Sequence, residues 1–262
     1  MRKLYWGDLT SSEFASLDPG RTIAVLPTAA TEQHGPHLAV ATDAVIAEGM
    51  IKTVLGLLPE DLAVLILPLQ AVGKSNEHLG WSGTITLSAE TASRLWLEIG
   101  RSVHRAGLRK LVIVNSHGGN ADVIATVARD LRIELQMLVV HTSWRRLGLP
   151  ERLYDDLETV HGIHAGDIET SLMLHFRPDL VRMDRAENFV PASVAMERDF
   201  KLLRPTGPNA FGWIARDLNS DGAAGNAAHA SAEKGRVTAE HQARQFIVLL
   251  RDVEAFSLSR LA

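Results

Sequence analysis

The sequence predicts an α/β fold with a mainly parallel central sheet and helices on both faces. Three observations predict it. Four short runs are apolar nearly throughout: TIAVLP (22–27), LAVLILP (62–68), KLVIVNS (110–116) and QMLVVHTS (136–143). Runs that do not alternate apolar with polar residues read as strands covered on both faces. Longer segments with helical spacing lie between them, and this alternation argues for a doubly wound layer. Polar residues of ligand type gather just after the runs, and such sheets carry their sites outside the carboxyl ends of the strands.

The elements follow in order. The first run leads to a helical segment from Asp43 to Leu57, with Val45, Ile46, Met50, Ile51 and Val54 on its apolar side. The second leads to Ala89–Ala106, with Leu95, Leu97, Ile99 and Val103. The third leads to Asn120–Leu135, with Val123, Ile124, Val127, Leu131 and Leu135. Beyond the fourth run the pattern loosens. Asp167–Phe176 reads as a helix with Pro178 soon after it, and Ala232–Phe256 as a C-terminal helix weakened near Thr238. Residues 184–229 are rich in Gly, Pro, Asn and Ala and form an irregular excursion longer than an ordinary loop.

Bulk composition excludes several functions. The chain has 262 residues, 46% hydrophobic and 22% charged, which is ordinary globular composition. A net charge of −4 without a Lys/Arg cluster argues against nucleic acid or an anionic membrane as the main partner. Cysteine is absent, so disulfides, zinc-thiolate sites and thiol nucleophiles are excluded. The N-terminus lacks the apolar core of a signal peptide, and the apolar run LAVLILPLQAV falls far short of the roughly 20 residues that span a bilayer. The expectation is a cytoplasmic protein.

The chemistry-bearing residues fall into clusters. After the first strand come Glu32, His34, His37 and Asp43; after the second, Lys74, Ser75, Glu77 and His78; after the third, NSHGGN with His117; after the fourth, His141 and Trp144. HGIHAGDIETS then supplies His161, His164, Asp167 and Glu169. Alternate residues of an extended segment point the same way, so Glu32 and His34 suit one metal. Imidazole with carboxylate fits Zn, Mn or Fe, and a bridging Asp43 would suit two ions. Thr42-Asp43 also sits at a helix start, so Asp43 reads alternatively as an N-cap. In NSHGGN, Gly118 and Gly119 allow close backbone approach or positive φ, and Asn120 suits a helix cap. Asp167 and Glu169 lie on different helix faces. Glu169 is expected to face inward and Asp167 solvent. His164 suits a proton shuttle. Ser75 and His78 are candidate substrate contacts. A P-loop is excluded because the glycine it needs is Pro68, and no G-x-S-x-G or H-E-x-x-H occurs.

With TEQHGPHL…TD (31–43), GKSNEHLGWSGTITL (73–87), NSHGGN (115–120) and HAGDIETS (164–171) in this order, the chain resembles the creatininase/formamide hydrolase family. The resemblance implies one three-layer α/β/α domain over 1–262, two divalent metal ions per chain (Zn, Mn or Fe) and a homohexamer. It also implies hydrolysis of a non-peptide or unusual C–N bond in a small amide. Residue by residue, it makes Glu32, His34, Asp43 and His117 metal ligands, with Asp43 bridging. His164, or His37, would then protonate the leaving nitrogen, and Ser75, His78 and Gly118 would meet substrate. The family's creatinine-cleaving members carry an aromatic residue and a ligating glutamate after the third-strand histidine. Here that turn reads His117-Gly118-Gly119-Asn120. The chain is thus more similar to a branch that takes its second-metal carboxylate from the HAGxxETS helix, Glu169 here. That branch includes a formamide hydrolase and a peptidase of the mycofactocin-precursor type. Two other readings stay open: a non-catalytic anion-binding protein, and a metal-dependent sugar lyase or isomerase.

Overall fold

The structure is a computed structural model that describes residues 2–261. Four strands, β1 (Ile23–Thr28), β2 (Val64–Ile66), β3 (Lys110–Asn115) and β4 (Leu138–Ser143), form an all-parallel sheet in the order β2-β1-β3-β4. The register sets Thr28 beside Asn115 and Asn115 beside Ser143. The carboxyl ends of β1, β3 and β4 therefore finish level, on one rim.

Side chains alternate between two cores, as a pleated strand requires. Ile23, Val25, Val112 and Val114 join one core with helices α1 (Thr42–Leu57), α5 (Asp167–Phe176) and α8 (Ala232–Ala255). Ala24, Leu26, Leu111 and Ile113 join the other with α2 (Ala89–Arg105) and α3 (Ala121–Leu135). This is a three-layer α/β/α architecture. Between β4 and α5 lies the short helix α4 (Asp156–His161). The 184–229 excursion holds structure of its own: α6 (Ala192–Asp199), α7 (Ala215–Leu218) and a two-stranded antiparallel ribbon of β5 (Asn188–Phe189) with β6 (Gly225–Asn226).

Three expectations need correction. β2 is three residues long, not seven. β4 is an edge strand whose residues are all half-buried, so it is not covered on both faces. Thr238 does not weaken α8. It is fully buried, with its hydroxyl 2.8 Å from the Tyr154 hydroxyl, and this tertiary contact overrides its low helix propensity. Among the described residues, no helix is long and apolar enough to cross a membrane.

Candidate metal centre

Loops from four parts of the chain converge beyond the level strand ends. The first is the loop after β1. His34 donates Nδ1–H to the carbonyl of Glu32 at 3.0 Å, which leaves Nε2 facing Asp43 Oδ1 at 3.4 Å. Nε2 of His34 and Oδ2 of Asp43 are buried and have no hydrogen-bond partner. Asp43 does not cap α1: Ala41 holds that position, without a side-chain bond. Asp43 is instead fully buried in the first turn of the helix, aimed at the two histidines.

The turn after β3 supplies His117. Its Nε2–H donates to the carbonyl of Lys74 at 2.8 Å. Nδ1 is then free to face Glu32 Oε1 at 3.2 Å and Asp43 Oδ2 at 3.3 Å. A backbone carbonyl on one ring nitrogen selects the tautomer that presents the other to a metal. Gly119 is needed for close approach, since a Cβ there would collide with Glu77, His117 and the Lys74 carbonyl. Gly118 has open space around it, and neither glycine has positive φ. Asn120 makes no side-chain cap to α3. Its amide accepts from Lys74 N at 2.9 Å and donates to the Ala29 carbonyl at 3.0 Å, which ties the loops after β1 and β2 together.

The HAGDIETS segment completes the group. Glu169 accepts a hydrogen bond from the Ala165 amide. Asp167 is buried and not solvated: it pairs with Lys234 and accepts from Ser171 at 2.9 Å. His164 donates Nε2–H to the Gln33 carbonyl at 2.8 Å, so its Nδ1 faces Glu32 Oε1 at 3.8 Å. Its ring lies between those of His34 and His78, with centroids at 4.2 and 4.5 Å.

Ligand-type atoms thus gather in three sets: Glu32, Asp43 and His117; His34, Asp43 and Glu169; and Glu32, His34 and His164. The first two share Asp43. Three carboxylates this close repel one another unless cations sit among them. Together with the orphaned His34 and Asp43 atoms and the all N/O donor set, this fits hard or borderline divalent cations.

The electrostatics follow from burial set against neighbours. Burial alone would raise the Glu32 carboxyl, but His117, His164 and His34 outweigh it and hold Glu32 far below the usual range. Burial likewise opposes ionisation of His34, yet Asp43, Glu169 and Glu32 lift it to about 9. His117 rises well above its ordinary value against its burial, through Glu32 and Asp43. His164 is lowered, by burial first and by His34 second.

Other expected site residues are placed as follows. Ser75 is fully buried, and its hydroxyl donates to Glu32 Oε2. His78 accepts at Nδ1 from the Gln33 amide at 2.7 Å, which turns Nε2–H toward Glu32 Oε1 at 3.4 Å. His37 is buried 2.9 Å from the Thr170 hydroxyl and stacks on Phe189; it belongs to none of the three sets. His161 bonds Glu197 at 3.0 Å and Ser193 at 2.9 Å, within the layer of α4 and α6. Gln33, missed in the sequence, positions both His78 and His164, and its amide also donates to Gly222 O at 2.8 Å. Only its place between two candidate ligands hinted at this.

The centre opens into a cleft of about 720 Å³ lined by Glu32, Asp43, His117, His164 and Glu169. Arg145, Arg146 and Val160 after β4 form more of its wall, and Pro205, Phe211 and Trp213 of the excursion add another part.

Residues 7–250 match the family model Creatininase, described as creatinine amidohydrolase. The mycofactocin precursor peptide peptidase of Mycobacterium tuberculosis (strain CDC 1551 / Oshkosh) is 36% identical over 198 residues, 72% of each chain. The creatinine amidohydrolase of Pseudomonas putida is 32% identical over 214 residues, 73% of this chain and 79% of that one. A solved structure of creatininase with Mn superposes with a TM-score of 0.75 at 26% identity, over 96% of this chain and 98% of that one. By its fold, its motif-bearing loops and the match across 7–250, the chain belongs to the creatininase family of amidohydrolases.

Proposed function

We propose that the protein is a metal-dependent hydrolase that cleaves an amide C–N bond with two divalent ions, held by Glu32, His34, Asp43, His117 and Glu169. The observation that supports this most is the sharing of buried Asp43 by two three-residue ligand sets in one cleft. Ions bound there lower the pKa of water from about 15.7 toward 7 and polarise a carbonyl oxygen.

The chain's own residues handle the proton. His164 is held neutral by burial, with Nε2–H committed to Gln33, so its Nδ1 acts first as a base. It takes a proton from water as the water oxygen bonds to the amide carbonyl carbon. It returns that proton to the leaving nitrogen as the C–N bond breaks, giving a carboxylic acid and an amine. Ser75 and His78 hold the Glu32 carboxylate in place. His37 has no part in this scheme.

A peptide bond is a second reading for the scissile amide. The size of the cleft, its aromatic wall at Phe211 and Trp213, and the 36% identity to a peptidase favour it. The anion-binding reading is disfavoured, because Glu32, Asp43 and Glu169 would repel any anion among them. A sugar lyase or isomerase would differ only in its products.

Metal analysis of the purified protein and of Glu169→Ala tests the proposal. About two ions per chain, falling to about one in the variant, are expected. No bound metal even after adding Zn or Mn would reject it. His164→Asn is expected to keep its metal and to lose turnover by on the order of 100-fold; loss of metal would make His164 a ligand instead.

A further inference from the structure

We propose that Arg146 anchors an anion subsite in the cleft, and that the substrate carries a carboxylate near the amide to be cut, as an N-acyl amino acid or a C-terminal peptide unit does. The proposal rests on the amidohydrolase reading for its chemistry and on the charge layout for its site.

The lining of the cleft is acidic: Glu32, Asp43, Glu77, Asp122 and Glu169 all contribute to it, and only Arg145 and Arg146 bring fixed positive charge. The two arginines are not equivalent. Arg145 donates to the carbonyls of Gly162 at 3.2 Å and Thr159 at 2.6 Å, which fastens the chain around α4. Arg146 makes no hydrogen bond or ion pair with any described residue. His141, on the wall of an adjoining pocket that Arg146 also lines, is held below its ordinary pKa by burial first and by the Arg146 charge second.

An unpaired arginine on a convex surface is ordinary. Arg146 is exposed and lines a concave wall together with carboxylates, which puts its donor fork within reach of a ligand in the cleft. A guanidinium fork matches a carboxylate with two parallel hydrogen bonds, which a neutral amide cannot reproduce. Arg146 follows the end of β4, and Glu32 follows the end of β1, two strands away along the sheet. At about 4.8 Å per strand the ends are roughly 10 Å apart, within reach of a ligand with an amide and a carboxylate one or two residues apart.

The test uses metal-loaded protein and matched pairs: N-acetyl-phenylalanine and glycyl-phenylalanine against their C-terminal carboxamides. Binding is read by calorimetry and, where turnover occurs, hydrolysis is read as well. The carboxylate member of each pair is expected to bind at least about tenfold more tightly. That preference is expected to vanish in Arg146→Gln and to survive in part in Arg146→Lys, with metal content unchanged in both. Equal binding of acid and carboxamide by the wild type would overturn the subsite. So would a preference that persists in Arg146→Gln, which would assign the carboxylate to the metal centre. Absence of hydrolysis for every amide would sink the amidohydrolase reading while leaving the binding comparison intact.

Discussion

Glu32 is the residue on which most of the centre depends. Its Oε2 takes the Ser75 hydroxyl, while its Oε1 faces nitrogens of His117, His78, His164 and His34 at 3.2, 3.4, 3.8 and 4.0 Å. Ser75→Ala removes the bond that aims the carboxylate and is expected to weaken metal affinity by about 10- to 100-fold in a chelator competition. Unchanged affinity would show that Glu32 needs no such support. His37 gives a pH signature. Burial first, and His34 and His164 second, depress it to about 4. The unfolded chain binds this proton below about 6.5 and the native chain does not, so acidification favours unfolding across the window from 6.5 to 4. In urea unfolding with chelator present, wild type is expected to lose about 2 kcal/mol more than His37→Gln between pH 7 and 4.5. Parallel losses would show that His37 titrates alike in both states.

At the scale of elements, the turns matter more than the helices and strands they join. The GKS segment reads as a failed phosphate loop in the sequence. In the structure it supplies the Lys74 carbonyl to His117 and the Ser75 hydroxyl to Glu32. Gly118 and Gly119 look equivalent in NSHGGN, yet only Gly119 is enclosed. Gly119→Ala is therefore expected to displace His117, lowering both the melting temperature and the metal content, while Gly118→Ala leaves both near wild type. Equal behaviour of the two would refute the close approach at Gly119. Elements with strong periodicity were legible: α1, α2 and α3 fall within a residue or two of their expected limits. The roles of Asn120 and Asp167 were not, because a carboxylate or amide at a helix start looks the same whether it caps the helix or reaches across to another loop.

The whole molecule leaves an apolar surface on the excursion, where Phe200, Leu202 and Leu203 are 48%, 71% and 41% exposed. Contiguous exposed apolar groups of this kind mark interaction surfaces. We propose that they are covered in a homo-oligomer, as the family resemblance implies. Light scattering is expected to give a mass several times 28.6 kDa, and Leu202→Asp to reduce it. A monomeric wild type would reject this.

The sequence alone determined the α/β class, the chain order of the strands and Glu32, His34 and Asp43 as candidate ligands; His117 and Glu169 joined them only through the family resemblance. The class, the strand order and the first three ligands follow from local periodicity and from residue types that water-excluded sites need. Tertiary structure decided the order β2-β1-β3-β4, the assignment of each imidazole nitrogen, the Gln33 support of His78 and His164, and the difference between Arg145 and Arg146. These depend on contacts between residues tens of positions apart, and no local pattern encodes which carbonyl or carboxylate folding will bring within 3 Å of a given side chain.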